Sequence, residues 1–192
     1  PVQPPVVVGP RVVLRAVRPE DARARQAFGW HADIERCFGE SRADGPMSDL
    51  EAQDWYGESL RMLEDPTCVP WMVEVEGRLV GVAFLHSLRA QDRKARYAVG
   101  FFAPEHVGHG WGTEVTGLVL DHGFDVLGLH RVDLRVLAFN ARAIRSYERC
   151  GFVEEGRERD SCLIDGVWHD DLLHLVFANK AAHDKYQITR GT

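Results

Sequence analysis

Three glycines fall within five residues near the middle of this chain. They are Gly108, Gly110 and Gly112 in the stretch EHVGHGWGTEV, residues 105–115, and a run typical of a helix follows them. Glycine loses much backbone entropy on folding, so such a cluster indicates a tight turn or a close approach to the backbone. A strand, a glycine-rich turn and a helix often bind phosphate, because the first amides of a helix have no partner within it. The residues alone leave both uses open.

Two other phosphate-binding motifs do not fit this stretch. A P-loop ends in Gly-Lys-Ser or Gly-Lys-Thr, and the stretch contains no lysine. The dinucleotide fingerprint requires glycine at position 113, where this chain has threonine, and it usually follows the first strand of a domain. A different phosphate ligand is therefore needed to explain the glycines.

Composition and charge exclude several classes of protein. The 192 residues suffice for one domain with a sizeable core, and 45% are hydrophobic and 27% charged, as in globular proteins. The formal net charge of −6 disfavours nucleic acid as a partner. No run of about 18 apolar residues is present, so we expect no membrane association and a cytoplasmic protein.

The cysteines and histidines form no recognisable metal or disulfide pattern. The 4 cysteines include no C-x-x-C pair. His106 and His109 are three positions apart, but they flank a loop, and no carboxylate or thiol completes a ligand set. We therefore expect no metal.

Hydrophobic periodicity predicts strands and helices in a mixed order. Predicted strands cover residues 11–17, 70–75, 78–88, 94–103 and 131–137, with a closing hairpin at 152–177. Predicted helices cover residues 18–30, 48–62, 113–126 and 141–150. This order is typical of an α+β fold with a mixed, mostly antiparallel central sheet and flanking helices. We expect a single domain over residues 11–177, an N-terminal extension at 1–10 and a C-terminal tail at 178–192.

Several blocks resemble the GNAT superfamily of N-acetyltransferases. V-G-H-G-W-G-T-E, residues 107–114, is similar to its acyl-CoA pyrophosphate loop, [QR]-x-x-G-x-[GA], with valine where Gln or Arg is usual. N-A-R-A-I-R-S-Y-E-R-C-G-F, residues 140–152, is similar to the pattern N-x-x-[AS]-x-x-x-Y-x-x-x-G-F. LRAVRPEDA, residues 14–22, resembles the first strand and helix of the family. DGVWHDDLLHLVF, residues 165–177, resembles the closing hairpin of the ribosomal-protein-alanine N-acetyltransferase branch.

The resemblance implies an enzyme that moves an acetyl group from acetyl-CoA directly to a primary amine. In this family two neighbouring strands splay apart, and the pantetheine arm lies between them like an added strand. The acceptor would be a protein N-terminal α-amine, or a small amine such as a polyamine, an antibiotic or a metabolite. A homodimer is left open. Two alternatives also stay open: another acyl donor such as succinyl-CoA, and a non-catalytic acyl-CoA-binding module.

The resemblance also implies roles for particular residues. Tyr147 would protonate the leaving thiolate, and Glu105 or His106 would accept the proton of the amine. On the acceptor side we expect Trp30, Glu35, Trp168, His169 and Asp170. The residues expected to bind the cofactor are Phe101, Phe102, Ala103, Val107, Gly108, His109, Gly110, Trp111, Gly112, Thr113, Asn140 and Tyr147.

Plainer roles are open for the same residues. The aromatic side chains could fill the core, and Asn140 could cap a helix. The acids could be solvated on a loop or a hairpin edge. Asp170 and Asp171 are neighbours on a predicted strand, so they face opposite sides, and at most one reaches a pocket directly.

Overall fold

The structure is a computed structural model that describes residues 4–178 of the chain. Its strands are β1 (Val7–Val8), β2 (Val12–Arg15), β3 (Val69–Val75), β4 (Arg78–Arg89), β5 (Lys94–Phe101), β6 (Arg131–Leu137), β7 (Val153–Ile164) and β8 (Val167–Phe177). Its α-helices are α1 (Asp21–Phe28), α2 (Ala32–Arg36), α3 (Asp49–Glu64), α4 (Trp111–Asp121) and α5 (Ala141–Arg149). A 3₁₀ turn at Pro104–His106 precedes α4, and a π-helical turn at His122–Val126 follows it.

The strands form one 8-stranded sheet in the order β1-β2-β3-β4-β5-β6-β8-β7. Within the described residues every neighbouring pair is antiparallel except β5 and β6, which are parallel. Two tight turns close the hairpins, at Glu76-Gly77 and Asp165-Gly166, where all four residues have positive φ as a type I′ turn requires. The predicted α+β fold with a mixed, mostly antiparallel sheet is therefore confirmed.

The strands β5 and β6 pair over a short length and then separate. Their register runs only from Lys94 opposite Arg131 to Arg96 opposite Asp133. Beyond that point β5 stays paired with β4 as far as Phe101, and β6 stays paired with β8. The predicted splayed strand pair is present, and it opens a gap in the middle of the sheet.

The hydrophobic core lies on both faces of the sheet. On one face α4 and α5 cover the central strands, with Val115, Val119 and Tyr147 among the buried residues. On the other face α1 and α3 enclose a smaller cluster around Met72 and Phe102. Burying one large apolar side chain contributes about 1.5–3 kcal/mol, so these contacts position the helices firmly around the gap.

Several element boundaries differ from the prediction. The strand predicted over 94–103 ends at Phe101, because Pro104 starts a 3₁₀ turn. The helix predicted from residue 113 begins at Trp111, since the left-handed Gly110 is its N-cap. The short helix α2 was not predicted, and Val7–Val8 of the expected extension pair with β2 at the sheet edge.

The remaining predictions concern the chain ends and the membrane. The expected tail, residues 178–192, lies outside the described residues except for its first position. None of the helices in the described part of the chain combines the length and the apolar character that a membrane span requires.

Candidate active site

A cavity of about 530 Å³ occupies the gap between β5 and β6. One side is formed by the glycine stretch, the start of α4 and the length of α5. The other is formed by α2 with the residues that follow it and by the β7–β8 hairpin. Of the residues predicted to form the site, those lining this cavity are Phe101, His106, Val107, Gly108, Gly110, Trp111, Gly112, Thr113, Asn140 and Tyr147. The structure thus brings together most of the predicted cofactor residues.

The edge of β5 that faces the gap carries unused main-chain groups. The amide of Phe102 donates to the Val80 carbonyl at 3.1 Å, and the same register continues along the strand pair. In an antiparallel pair only alternate residues bond to the neighbour. The even-numbered residues of β5 therefore bond to β4, and the odd-numbered ones direct their N–H and C=O groups into the gap. Beyond the stretch paired with β6, these residues are Val99 and Phe101, together with the carbonyl group of Tyr97.

This pattern corrects part of the expected donor set. The amide of Phe102 is occupied by β4, and its ring packs 5.8 Å from that of Trp55 in the smaller core. The Ala103 carbonyl accepts from the amide of His106 at 3.0 Å. Of the donors predicted at Phe101–Ala103, the Phe102 amide is therefore used within the sheet, Ala103 does not line the cavity, and the Phe101 amide faces the gap.

The glycine stretch presents a row of free amides to the cavity. Gly108 and Gly110 have φ values of 88° and 80°, a region that favours glycine. The first main-chain bond of α4 runs from the Glu114 amide to the Gly110 carbonyl. The amides of residues 108–113 have no hydrogen-bond acceptor within residues 4–178. Positive φ explains Gly108 and Gly110, and the turn they form leaves free amides at the start of α4, an arrangement that suits an anion.

Side chains hold this loop against β2. Arg11 donates to the His109 carbonyl at 2.7 Å and pairs with Glu114 at 2.9 Å. The His109 ring donates to the Glu105 carbonyl at 2.8 Å and stacks on Trp111 at 4.5 Å. Two of the predicted cofactor residues, His109 and Trp111, thus stabilise the loop with their side chains.

Residues on α5 add positive charge that sequence reasoning missed. Arg142, Arg145 and Arg149 line the cavity, and none of them forms an ion pair within the described part of the chain. Their spacing of three and then four residues places them on one face of a helix, which is the signal that could have identified them. Three unpaired guanidinium groups beside the free amides favour a ligand with several phosphates.

Tyr147 lies on α5 at the wall of the cavity. Its side chain is only 8% exposed, and its ring lies 6.2 Å from that of Tyr97 and 5.8 Å from that of Phe152. Burial raises the pKa of the Tyr147 phenol well above its usual value. The group is therefore protonated at neutral pH and can donate a proton or a hydrogen bond in the cavity.

The side chains of Asn140 and Thr113 form hydrogen bonds within the protein. The Asn140 side chain accepts from the Ala143 amide at 3.2 Å, so it caps α5 as the plainer role predicts. The Thr113 hydroxyl lies 2.8 Å from the Ser146 hydroxyl and joins α4 to α5. Both predicted residues still line the cavity, so each contributes to its shape.

The structure distinguishes between the two candidate bases, His106 and Glu105. His106 is 9% exposed, lines the cavity, and its Nδ1 atom is buried with no hydrogen-bond partner within residues 4–178. Burial lowers its pKa, so the ring is neutral near pH 7 and can accept a proton. Glu105 is exposed and does not line the cavity. The geometry favours His106.

The closing hairpin places Asp171, and not the predicted Asp170, at the cavity. Asp171 lines the cavity and accepts from the Ser161 hydroxyl at 3.1 Å. Asp170 pairs with Arg157 at 2.9 Å and accepts from the Asp160 amide. Neighbouring residues of a strand face opposite sides, and the register of β8 decides which one enters the cavity.

Four other predicted acceptor residues lie outside the cavity wall. Trp168 is 56% exposed on the hairpin, and His169 packs against Phe139 with ring centroids 4.9 Å apart. The Trp30 ring lies beneath the guanidinium group of Arg42 at 3.8 Å. Glu35 is half-buried, which raises its pKa. The residues of the same region that do line the cavity are Ile34, Cys37, Phe38 and Gly39.

The residues that line the cavity fit a CoA thioester. Free amides and unpaired arginines suit a diphosphate, and the open edge of β5 suits a chain of amides. Among the residues that the structure describes, no group of three or more His, Cys, Asp or Glu side chains could hold a metal ion.

Comparison with known proteins identifies the family. The acetyltransferase (GNAT) domain model matches residues 11–153. Spermidine N(1)-acetyltransferase of Escherichia coli K12 is 27% identical over 171 residues, covering 88% of this chain and 87% of that protein. The Vibrio cholerae enzyme of the same name is 34% identical over 107 residues, 56% of this chain and 61% of that protein, which is under two thirds of its length.

The fold of a solved relative agrees with these matches. The crystal structure of spermidine N-acetyltransferase from Vibrio cholerae, in complex with CoA and spermine, has a TM-score of 0.74 and 27% identity. The similarity covers 91% of this chain and 99% of that chain. The ribosomal-protein branch stays a prediction, whereas the superfamily is confirmed. This chain belongs to the GNAT family of acetyltransferases.

Proposed function

We propose that this N-acetyltransferase moves the acetyl group of acetyl-CoA directly to a small primary amine. The observation that carries the proposal is the cavity between β5 and β6, which joins the free amides of residues 108–113 to the buried Tyr147. The CoA thioester would supply the activated acetyl group. All other steps below concern residues of this chain.

Two kinds of contact would bind the CoA thioester: one to its phosphates and one to its pantetheine arm. The amides of residues 108–113 and the arginines Arg142, Arg145 and Arg149 would hold the phosphates. The gap-facing groups of Tyr97, Val99 and Phe101 would bond to the amides of the pantetheine arm, as a neighbouring strand would. This arrangement would place the thioester beside Tyr147.

Two groups would manage the protons. An alkyl ammonium with a pKa of about 10 must lose a proton before it attacks, and neutral His106 would accept that proton directly or through water. The phenol of Tyr147 would donate its proton to the departing sulfur.

The thiols of the cavity support direct transfer. Cys37 and Cys162 line the cavity, and burial raises the pKa of both thiols. The thiolate is the nucleophilic form, so neither cysteine is activated for an acyl-enzyme.

The acceptor we favour is a small amine with a second positive charge. Asp171 supplies the one carboxylate among the described residues that line the cavity. Two of the relatives are named for spermidine, and one solved relative is described with spermine. A homodimer and a cytoplasmic location stay predictions.

A thiol-release assay tests the proposal. The purified chain is incubated with acetyl-CoA or succinyl-CoA and a panel of polyamines, simple diamines and dipeptides, and free CoA and product masses are measured. We expect CoA release that depends on both acetyl-CoA and an amine. A reaction without the protein is the control for spontaneous hydrolysis of the thioester. Release only with succinyl-CoA, or CoA binding without turnover, would contradict the proposal and favour one of the alternatives.

A further inference from the structure

The ring of Phe38 rests on the backbone of Gly100 at the acceptor side of the cavity. A Cβ atom added at Gly100 would lie 2.4 Å from Cζ and 2.9 Å from Cε1 of Phe38, closer than real atoms approach. The ring thus fills the space that any side chain at position 100 would need. Yet Phe38 is 53% exposed, so much of the ring faces open space. Both residues line the cavity.

Phe38 and Tyr147 lie on opposite faces of β5. Side chains alternate along a strand, so positions 97 and 100 point to different faces. Tyr97 points to the face where its ring meets that of Tyr147, 6.2 Å away. Position 100 points to the other face, where Phe38 lies. Because α4 and α5 cover the Tyr147 face, an acceptor amine has to enter from the side of Phe38.

Contacts to the closing hairpin hold the segment that carries Phe38. Arg36 pairs with Asp165 at 2.8 Å. The Asp165 amide donates to the Ser41 hydroxyl, also at 2.8 Å. These two contacts flank Phe38 in sequence, so the ring is a fixed wall of the acceptor entrance rather than the end of a free loop.

We infer that Phe38 determines acceptor specificity by excluding amines that are branched at the carbon next to the nitrogen. The inference rests on the proposed function and narrows its substrate class. The attacking nitrogen enters the gap past the exposed part of the Phe38 ring, beside the contact of that ring with Gly100. A CH₂–NH₂ group has no substituent to place against the ring, whereas the α-carbon of a peptide N-terminus has one. The enzyme therefore takes unbranched amines.

The test compares two diamines that differ only in this branching. 1,4-Diaminobutane carries unbranched amino groups, and 2,5-diaminohexane carries a methyl group beside each nitrogen. One methyl group typically changes kcat/KM by 10-fold to 200-fold in a confined pocket. We expect the wild-type enzyme to prefer 1,4-diaminobutane by at least about 10-fold, and Phe38→Ala to reduce that ratio by about 10-fold. Phe38→Leu should give an intermediate ratio, and the KM for acetyl-CoA should not change.

A second pair of variants tests the contact without any substrate. Gly100→Ala should lower the melting temperature, because its methyl group meets the Phe38 ring, and Gly100→Ala with Phe38→Ala should restore it. Equal ratios in the wild type and Phe38→Ala, or turnover of a dipeptide N-terminus but of neither diamine, would overturn the inference alone. No CoA release with any amine would overturn the proposed function as well.

Discussion

The wall of the cavity formed by α4 and α5 comes from two continuous segments, residues 107–113 and 140–149, each of which is a motif in the sequence. The opposite wall joins α2 to a hairpin, through partners such as Arg36 and Asp165 that are 129 positions apart. Arg142, Arg145 and Arg149 of the first wall form no ion pair within residues 4–178, whereas Arg36, next to the second wall, pairs with Asp165. The difference teaches that the proposed donor site is encoded by local sequence motifs, whereas the proposed acceptor side depends on long-range packing.

The largest effect is expected from a substitution in the donor wall, the side of the cavity that α4 and α5 form. Gly110→Val places a branched side chain at a φ of 80°, with Arg11 already 3.3 Å from the Cβ position, so the loop must change shape. We expect the Kd for CoA to rise at least about 100-fold, measured by calorimetry, because several amide bonds to phosphate are lost together. Gly117→Val is the control, since a Cβ there meets nothing within 4 Å. Normal CoA binding by folded Gly110→Val would refute the loop assignment.

The next effect separates chemistry from binding on the same wall. Tyr147→Phe removes the proton donor and leaves the ring packed against Tyr97 and Phe152. We expect kcat to fall by about 10-fold to 100-fold in the thiol-release assay, with the Kd for CoA unchanged. Tyr56→Phe, on α3 away from the cavity, controls for loss of a phenol elsewhere. An unchanged kcat would remove Tyr147 from the mechanism.

A smaller effect is expected from a substitution in the acceptor wall, the side of the cavity formed by α2 and the β7–β8 hairpin. It distinguishes the neighbouring acids Asp170 and Asp171. Asp171→Asn removes the carboxylate that lines the cavity, so the KM for a diamine should rise about 10-fold while the KM for acetyl-CoA stays constant. Asp170→Asn is the matched control, because Asp170 pairs with Arg157 instead. The two variants are compared in steady-state kinetics. A larger rise in diamine KM for Asp170→Asn would show that the register of β8 is misassigned.

The smallest effect is a displacement of the pH profile. Burial lowers the pKa of His106, so the base is neutral at pH 7 and becomes protonated only below the ordinary histidine value of about 6.5. We expect kcat/KM to rise with pH through a limb whose midpoint lies below about 6.5, and His106→Gln to lose that limb. An identical limb in His106→Gln would assign the base to another group, such as Glu105.

Sequence patterns predicted the features that depend on neighbouring residues. The closing hairpin predicted over 152–177 and the helix predicted from residue 48 are both present. The turn at Asp165-Gly166 and the capping box of Ser48 and Glu51 that form them are each determined within four residues. The tight turn at Gly108 and Gly110 was predicted because it too depends on residues that are close in sequence. The boundary of β5 was missed by two residues, since Pro104 begins a 3₁₀ turn that periodicity does not reveal.

The acceptor side could not be predicted in the same way. The choice between Asp170 and Asp171 depends on the register of β8 against β6, which no local pattern encodes. The contact of Phe38 with Gly100 joins the segment after the short unpredicted helix α2 to the end of β5. Sequence reasoning predicted Trp30 and Glu35 on the acceptor side, but in this part of the chain the side chains that line the cavity are those of Ile34, Cys37 and Phe38.

The central claim is that the free amides at the start of α4 bind the diphosphate of a CoA thioester. A crystal structure of this chain grown with CoA tests it most directly. We predict diphosphate oxygens about 3 Å from the amide nitrogens of residues 108–113, with the pantetheine arm along the open edge of β5. A CoA molecule whose diphosphate is bound elsewhere on the protein, with those amides facing only solvent, would contradict the account.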